Sequence, residues 1–113
     1  IDADPTDARA LRNYADFLQN VLQDYSRAEE MYRRAIDADP TDARALRNYA
    51  DFLQNVLQDY SRAEEMYRRA IDADPTDARA LRNYADFLWT VRNDHDRAEE
   101  MYRRAIDAEI LRG

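Results

Sequence analysis

The strongest constraint on this chain is repetition. Residues 36–70 read IDADPTDARALRNYADFLQNVLQDYSRAEEMYRRA, residues 1–35 are the same 35 letters, and residues 71–105 repeat them with six changes confined to 89–96. Residues 106–113 open a fourth copy that departs as IDAEILRG. A period of about 20–50 residues marks a stacked array, because one unit cannot bury its apolar face alone. A lone 35-residue unit would have to offset on the order of 35–70 kcal/mol of backbone ordering entropy with one-sided contacts. Stacking encloses the middle unit on both sides. The expected organisation is one array over 1–113, with repeats 1–35, 36–70 and 71–105, and with 106–113 extending the last helix.

Each copy reads as two helices. Asp-Pro-Thr-Asp opens it, at Asp4 to Asp7, Asp39 to Asp42 and Asp74 to Asp77. Proline bars the preceding residue from continuing a helix, while Thr and Asp offer oxygens to the free N–H groups of a new one. Leu11, Tyr14, Ala15, Leu18, Val21 and Leu22 follow at helical spacing and predict a first helix at about 7–21. After the turn Gln23-Asp24-Tyr25, Ser26-x-x-Glu29 reads as a capping box that opens a second helix. Ala28, Met31, Tyr32, Ala35 and Ile36 form its apolar stripe, which ends before Pro40. Glu29 and Glu30 precede Arg33 and Arg34 by four residues, the favoured order for helical ion pairs. With no Gly before Gly113, the turns are expected to use ordinary backbone conformations. No stretch alternates with period two, so the fold class is all-α.

The net charge of −7 leaves no basic footprint, so neither nucleic acid nor an anionic membrane is expected as a partner. All 17 basic residues are Arg, whose planar fork suits fixed salt bridges and carboxylate recognition. The absence of Cys excludes disulfides and thiolate chemistry. No apolar run approaches the ~20 residues that span a bilayer, and no signal peptide is visible, so a cytoplasmic location is the default. A start at Ile1 without Met, and two letter-perfect copies, read as a fragment, a recent duplication, or an excised or designed repeat.

Three clusters carry a chemical reading that does not hold up. Asp37-Ala-Asp39-Pro-Thr-Asp42 opens like a calcium loop but lacks Gly at the sixth position and Glu at the twelfth, where Asn48 stands. Asp94-His95-Asp96 holds the only His, with no second His and no Cys to join it. Glu29 and Glu30 diverge around their helix and each has an Arg partner. Neither cofactor nor metal nor catalytic residue is expected, and an enzyme is not.

Two helices per 35 residues fit several helical repeats, and the small-residue pattern decides among them. Leu11-x-x-Tyr14-Ala15-x-x-Leu18, followed by Ala28-x-x-x-Tyr32, Ala35 and Pro40, resembles the tetratricopeptide repeat signature. Ala15 stands where that family has Gly, Leu11 where it has Trp, and the period is one residue longer than its usual 34. The extra residue falls between Leu18 and Ala28, in the turn. The resemblance implies a right-handed superhelical solenoid of antiparallel helix pairs, with first helices lining a concave groove and second helices forming the back. It also implies binding of an extended peptide or a partner's tail, of unknown identity.

The groove edge implied by the resemblance is Arg9, Arg12, Asn13, Asp16, Gln19 and Asn20. Its copies are Arg44, Arg47, Asn48, Asp51, Gln54 and Asn55, then Arg79, Arg82, Asn83, Asp86, Trp89 and Thr90. Its Arg ladders suit an acidic peptide or a C-terminal carboxylate. Some family members grip such a carboxylate in a clamp, and Arg12, Asn48 and Arg79 match it. Asp16 and Asn83 do not. Asp16 lies four residues from Arg12, so an intrahelical Arg12–Asp16 pair on a solvated face is the favoured reading.

Trp89 replaces Gln19 and Gln54, and is read as a binding anchor at the groove's end or as packing on its own turn. Arg92, His95 and Asp96 replace Leu22, Tyr25 and Ser26, a partial solubilisation where a following repeat would pack. The last helix is expected to run on towards Arg112 with Ile106 and Ile110 on its apolar face. Two functions are compatible with all this. One is a peptide-binding scaffold using the groove. The other is a self-associating module, a homo-oligomer that stacks head-to-tail or exchanges terminal helices through repeat ends without polar caps.

Overall fold

The computed structural model describes residues 7–112; Asp4-Pro5-Thr6 and Gly113 lie outside the described residues. These form six α-helices and no strand. α1 (Ala8–Phe17) pairs with α2 (Tyr25–Ala38), α3 (Ala43–Phe52) with α4 (Tyr60–Ala73), and α5 (Ala78–Thr90) with α6 (His95–Arg112). The pairs stack into a solenoid of 45 × 30 × 21 Å.

Asp side chains start the helices. Asp7, Asp42 and Asp77 each accept from two backbone N–H groups in the first turn of α1, α3 and α5. In the connections, Asp39 accepts from the Thr41 N–H at 3.0 Å and its hydroxyl at 2.8 Å. Asp24, Asp59 and Asp94 accept from the N–H of Arg27, Arg62 and Arg97. The cap of the second helix is therefore Asp24 and not Ser26. Ser26 already lies inside α2, and Glu29 is committed to side chains of the next pair.

The extra residue is not looped out in the turn as its spacing suggests. After α1 and α3 the chain continues for a widened, π-helical turn, at Leu18–Leu22 and Leu53–Leu57. One residue is thereby absorbed without breaking the backbone hydrogen-bond ladder. The turns that follow are not ordinary either. Gln23, Gln58 and Asn93 adopt φ of 54°, 55° and 56°, the left-handed region that Gly usually occupies. This lets the N–H of Asp24, Asp59 and Asp94 turn back to the carbonyls of Leu18, Leu53 and Leu88 at 2.9, 2.8 and 2.8 Å.

The core has two sets of contacts. Ala15, Leu18, Ala28, Tyr32 and Ala35 close the first pair, and their copies close the others. A second set joins neighbouring pairs. The Phe52 ring lies 6.2 Å from Tyr25 and 5.5 Å from Tyr32, and the Phe87 ring 6.4 Å from Tyr60 and 5.7 Å from Tyr67. Burying such a ring contributes about 1.5–3 kcal/mol. α6 does run on to Arg112, but Ala105 and Ala108 face the core while Ile106 and Ile110 stay exposed.

Candidate binding groove

The first helices α1, α3 and α5 line up along one side of the stack. Between them lies a cavity of about 260 Å³ whose walls include Asp16, Gln19, Asn20, Tyr32, Arg44, Arg47, Asn48, Asp51 and Arg79. Its acids are tied down from two directions. Asp16 accepts from the Tyr32 hydroxyl at 2.7 Å and from Asn48 Nδ2 at 3.3 Å. Asp51 accepts from Tyr67 at 2.6 Å and Asn83 at 3.2 Å. In each case the Tyr comes from the same pair and the Asn from the next, so the network stitches the pairs together. Gln19 and Gln54 complete it, each 2.7 Å from the same Tyr hydroxyl.

Burial shapes the proton affinities here. It pushes the Asp51 carboxyl above its usual range, although Tyr67, Arg47, Asn83 and Arg79 all favour the anion. Burial and the neighbouring Asp16 carboxylate push Tyr32 far up, and burial and Asp51 do the same to Tyr67. In the third pair Tyr102 donates to Asp86 without a Gln beside it, and is pushed up to about 12.

Of the two Arg ladders, the one through Arg12, Arg47 and Arg82 is not open. Arg12 and Arg47 are buried, and neither forms the intrahelical pair that its spacing suggests. Arg12 Nη1 donates to Asp42 Oδ2 at 2.9 Å, and Arg47 Nη1 to Asp77 Oδ2 at 3.0 Å, each reaching the helix cap of the next pair. Arg12 is thus withheld from a carboxylate clamp. Arg82, the third of the series, is exposed and pairs with Glu109 at 3.1 Å. Arg9, Asn13, Arg44, Arg79, Asp86 and Trp89 are exposed, and Asn48, Asn83, Asp16 and Asp51 half-buried. Among the described residues, Arg44 and Arg79 are the cavity-lining guanidinium groups that hold no ion pair.

A second polar network, unseen in the sequence, clamps the pairs from the side of α2 and α4. Glu29 Oε2 accepts from Arg33 (3.2 Å), Tyr49 (2.8 Å) and Arg62 (3.0 Å). Arg62 also lies 5.7 Å over the Tyr49 ring. Glu64 repeats the arrangement with Arg68 (3.1 Å) and Tyr84 (2.8 Å), and gains Arg92 at 3.0 Å. Burial opposes ionisation of Glu29 and Glu64. The Tyr and Arg partners outweigh it, so both sit below the usual carboxylate range.

Arg92, like His95 and Asp96, remains exposed. It turns back to Glu64 and over the Phe87 ring at 5.4 Å. Trp89 is exposed at the end of α5. It lines an apolar cavity with His95, Ala98, Glu99 and Tyr102. Among the described residues no helix is long and apolar enough to cross a membrane, and no group of three or more His, Asp or Glu could hold a metal.

Stacked antiparallel pairs that approach through Ala15, Ala28 and Ala35 define a helical-repeat solenoid of the tetratricopeptide class. The profile of the family described as TmcB, TPR repeats, matches residues 25–74 and 60–112. The chain belongs to that family. Among solved structures it is similar to the crystal structure of MamA, with a TM-score of 0.82 at 19% identity over 96% of this chain. The match spans 62% of the MamA chain. It is also similar to the first TPR of Spaghetti (RPAP3), bound to the HSP90 peptide SRMEEVD, with a TM-score of 0.81 at 20% identity over 96% of this chain and 84% of that one. The second TPR of Spaghetti, bound to the same peptide, gives 0.74 at 24% identity over 90% and 92%. At these identities the likeness is one of fold. No curated protein sequence matches the chain.

Proposed function

We propose that the chain is a non-enzymatic protein-binding scaffold whose concave groove takes an extended acidic peptide. Arg44 and Arg79 carry this reading: both line the cavity, both are exposed, and neither is spent on an ion pair. A guanidinium fork held this way binds a carboxylate by paired charge-assisted hydrogen bonds. Asp16 and Asp51 would otherwise repel an acidic ligand. Their lone pairs already accept from Tyr32, Asn48, Tyr67 and Asn83, which spreads their charge into the wall. The fold neighbours from Spaghetti hold a peptide whose last four residues include three acids, consistent with the same chemistry.

The reading is tested by fluorescence anisotropy with a labelled library of acidic peptides, some ending in a free carboxylate and some amidated. Substituting both Arg44 and Arg79 by Ala is expected to weaken binding at least roughly tenfold, and added salt to weaken it further. Binding that ignores both substitutions, or no binding by any acidic peptide, overturns it.

A further inference from the structure

One docking event occurs twice inside the chain. Phe52 of α3 seats against Tyr25 and Tyr32 of α2 while Tyr49 stacks on Tyr32 at 5.6 Å. Phe87 of α5 seats against Tyr60 and Tyr67 of α4 while Tyr84 stacks on Tyr67 at 5.8 Å. Each time a Glu of the receiving pair takes the incoming Tyr hydroxyl, and an Asp of the receiving pair takes the incoming Asn.

Among the described residues, both halves of that contact are also displayed unmatched, one on α1 and one on α6. On the α1 face, Phe17 and Tyr14 are 46% and 39% exposed, whereas Phe52 and Phe87 are 0% and Tyr49 and Tyr84 at most 3%. Arg27 stands 5.7 Å over the Tyr14 ring, the arrangement that elsewhere meets a Glu. On the α6 face, the cavity lined by Trp89, His95, Ala98, Glu99 and Tyr102 measures about 430 Å³. These five stand at the positions of Gln54, Tyr60, Ala63, Glu64 and Tyr67, of which Tyr60 and Tyr67 hold the Phe87 ring. Ile106 beside it is 58% exposed, where Ile36 and Ile71 are 7%. Glu99 has Arg103 as its one ion-pair partner among the described residues.

We propose that this cavity is a socket for a second copy of the chain, which inserts Phe17 between His95 and Tyr102. Tyr14 and Arg27 of the incoming copy then meet Glu99, and its Asn13 meets Asp86. The occupant is specified by the charges: a negative Glu99 at the socket faces a positive Arg27 beside the knob. Trp89, where Gln54 stands in the interior contact, adds apolar wall to the socket. Knob and socket are different surfaces, so each contact leaves one of each open and growth proceeds head to tail.

Sedimentation velocity of the full chain over a wide concentration range tests this. The wild type is expected to form species that grow with concentration. Phe17→Glu blocks the knob and Glu99→Arg blocks the socket, both at exposed positions, and each is expected to weaken self-association roughly tenfold or more. An equimolar mixture should still form a 1:1 dimer and stop there, because each variant retains the face that the other lacks. Circular dichroism checks that both variants keep the helical fold. A wild type that stays monomeric throughout overturns the proposal. So does a variant that associates like the wild type, as a dimer made by exchanging helices would, and so does a mixture that fails to pair.

Discussion

The guanidinium of Arg47 and the carboxylate of Asp77, thirty residues apart, meet at 3.0 Å beneath the surface. That carboxylate also accepts from the N–H of Arg79 and Ala80, so one Asp both caps α5 and receives the preceding pair. Removing Arg47 strands a poorly hydrated anion. Arg47→Ala is expected to cost about 2–4 kcal/mol in urea unfolding. Arg82→Ala, at an exposed pair with Glu109, should cost at most about 1 kcal/mol. Equal losses would mean that burial is not what matters.

Gln58 holds φ at 55° with a side chain that disfavours this region. Gln58→Gly removes the clash between Cβ and the backbone and should stabilise the chain by roughly 0.5–1 kcal/mol. Asn93 occupies the same conformation with a residue that tolerates it better, so Asn93→Gln should lower stability. Chemical denaturation of the two variants checks the opposite signs.

These turns mark where the sequence stops being readable. Asp42 as a helix cap and the stripe of Leu46, Ala50 and Leu53 follow from local spacing, and all three of these apolar residues are buried. Phe52 escapes that reading because a helix inside a solenoid buries two faces, and the second one faces the neighbouring pair. Arg47 escapes it for the same reason. Its four-residue neighbour Asp51 is the obvious partner in one dimension, yet Asp77 is the nearer one in space. Gln23 shows the converse. Without Gly the turn looks ordinary, but the left-handed Gln23 brings the Asp24 N–H back to the Leu18 carbonyl, which the Gln23 N–H also reaches. Of the cavity, the first-helix positions that line it were legible as a polar helix edge. Which of its cations remain unpaired was not, since that depends on caps thirty residues away.

Tyr67 sets an alkaline limit. Burial and Asp51 raise its pKa well above the usual 10.0. An unfolded Tyr ionises near pH 10 while the folded one keeps its proton, so the stabilisation is complete below pH ~10 and is lost as pH rises beyond it. Thermal melts above that pH should fall more steeply for the wild type than for Tyr67→Phe. The tyrosinate absorbance lost in Tyr67→Phe should be absorbance that the wild type develops only above pH ~10.

Glu64 sets the acid limit, and the third pair supplies its control. Its carboxylate accepts from Arg68, Tyr84 and Arg92, which hold it below the usual carboxylate range although burial opposes them. A depressed carboxylate stabilises the fold above its unfolded pKa and ceases to as pH falls through the folded one. Glu64→Gln should therefore lower stability at neutral pH by about 1–2 kcal/mol and flatten its decline below pH ~4.5. Glu99 stands at the same repeat position with Arg103 as its one ion-pair partner among the described residues. Glu99→Gln should change monomer stability by less than about 0.5 kcal/mol. The difference isolates what the following pair adds, since the two helices otherwise share the same local sequence from Arg97 to Ala108 as from Arg62 to Ala73. Urea unfolding in dilute solution at two pH values makes the comparison, and equal effects of both substitutions would show the inter-pair clamp to be energetically silent.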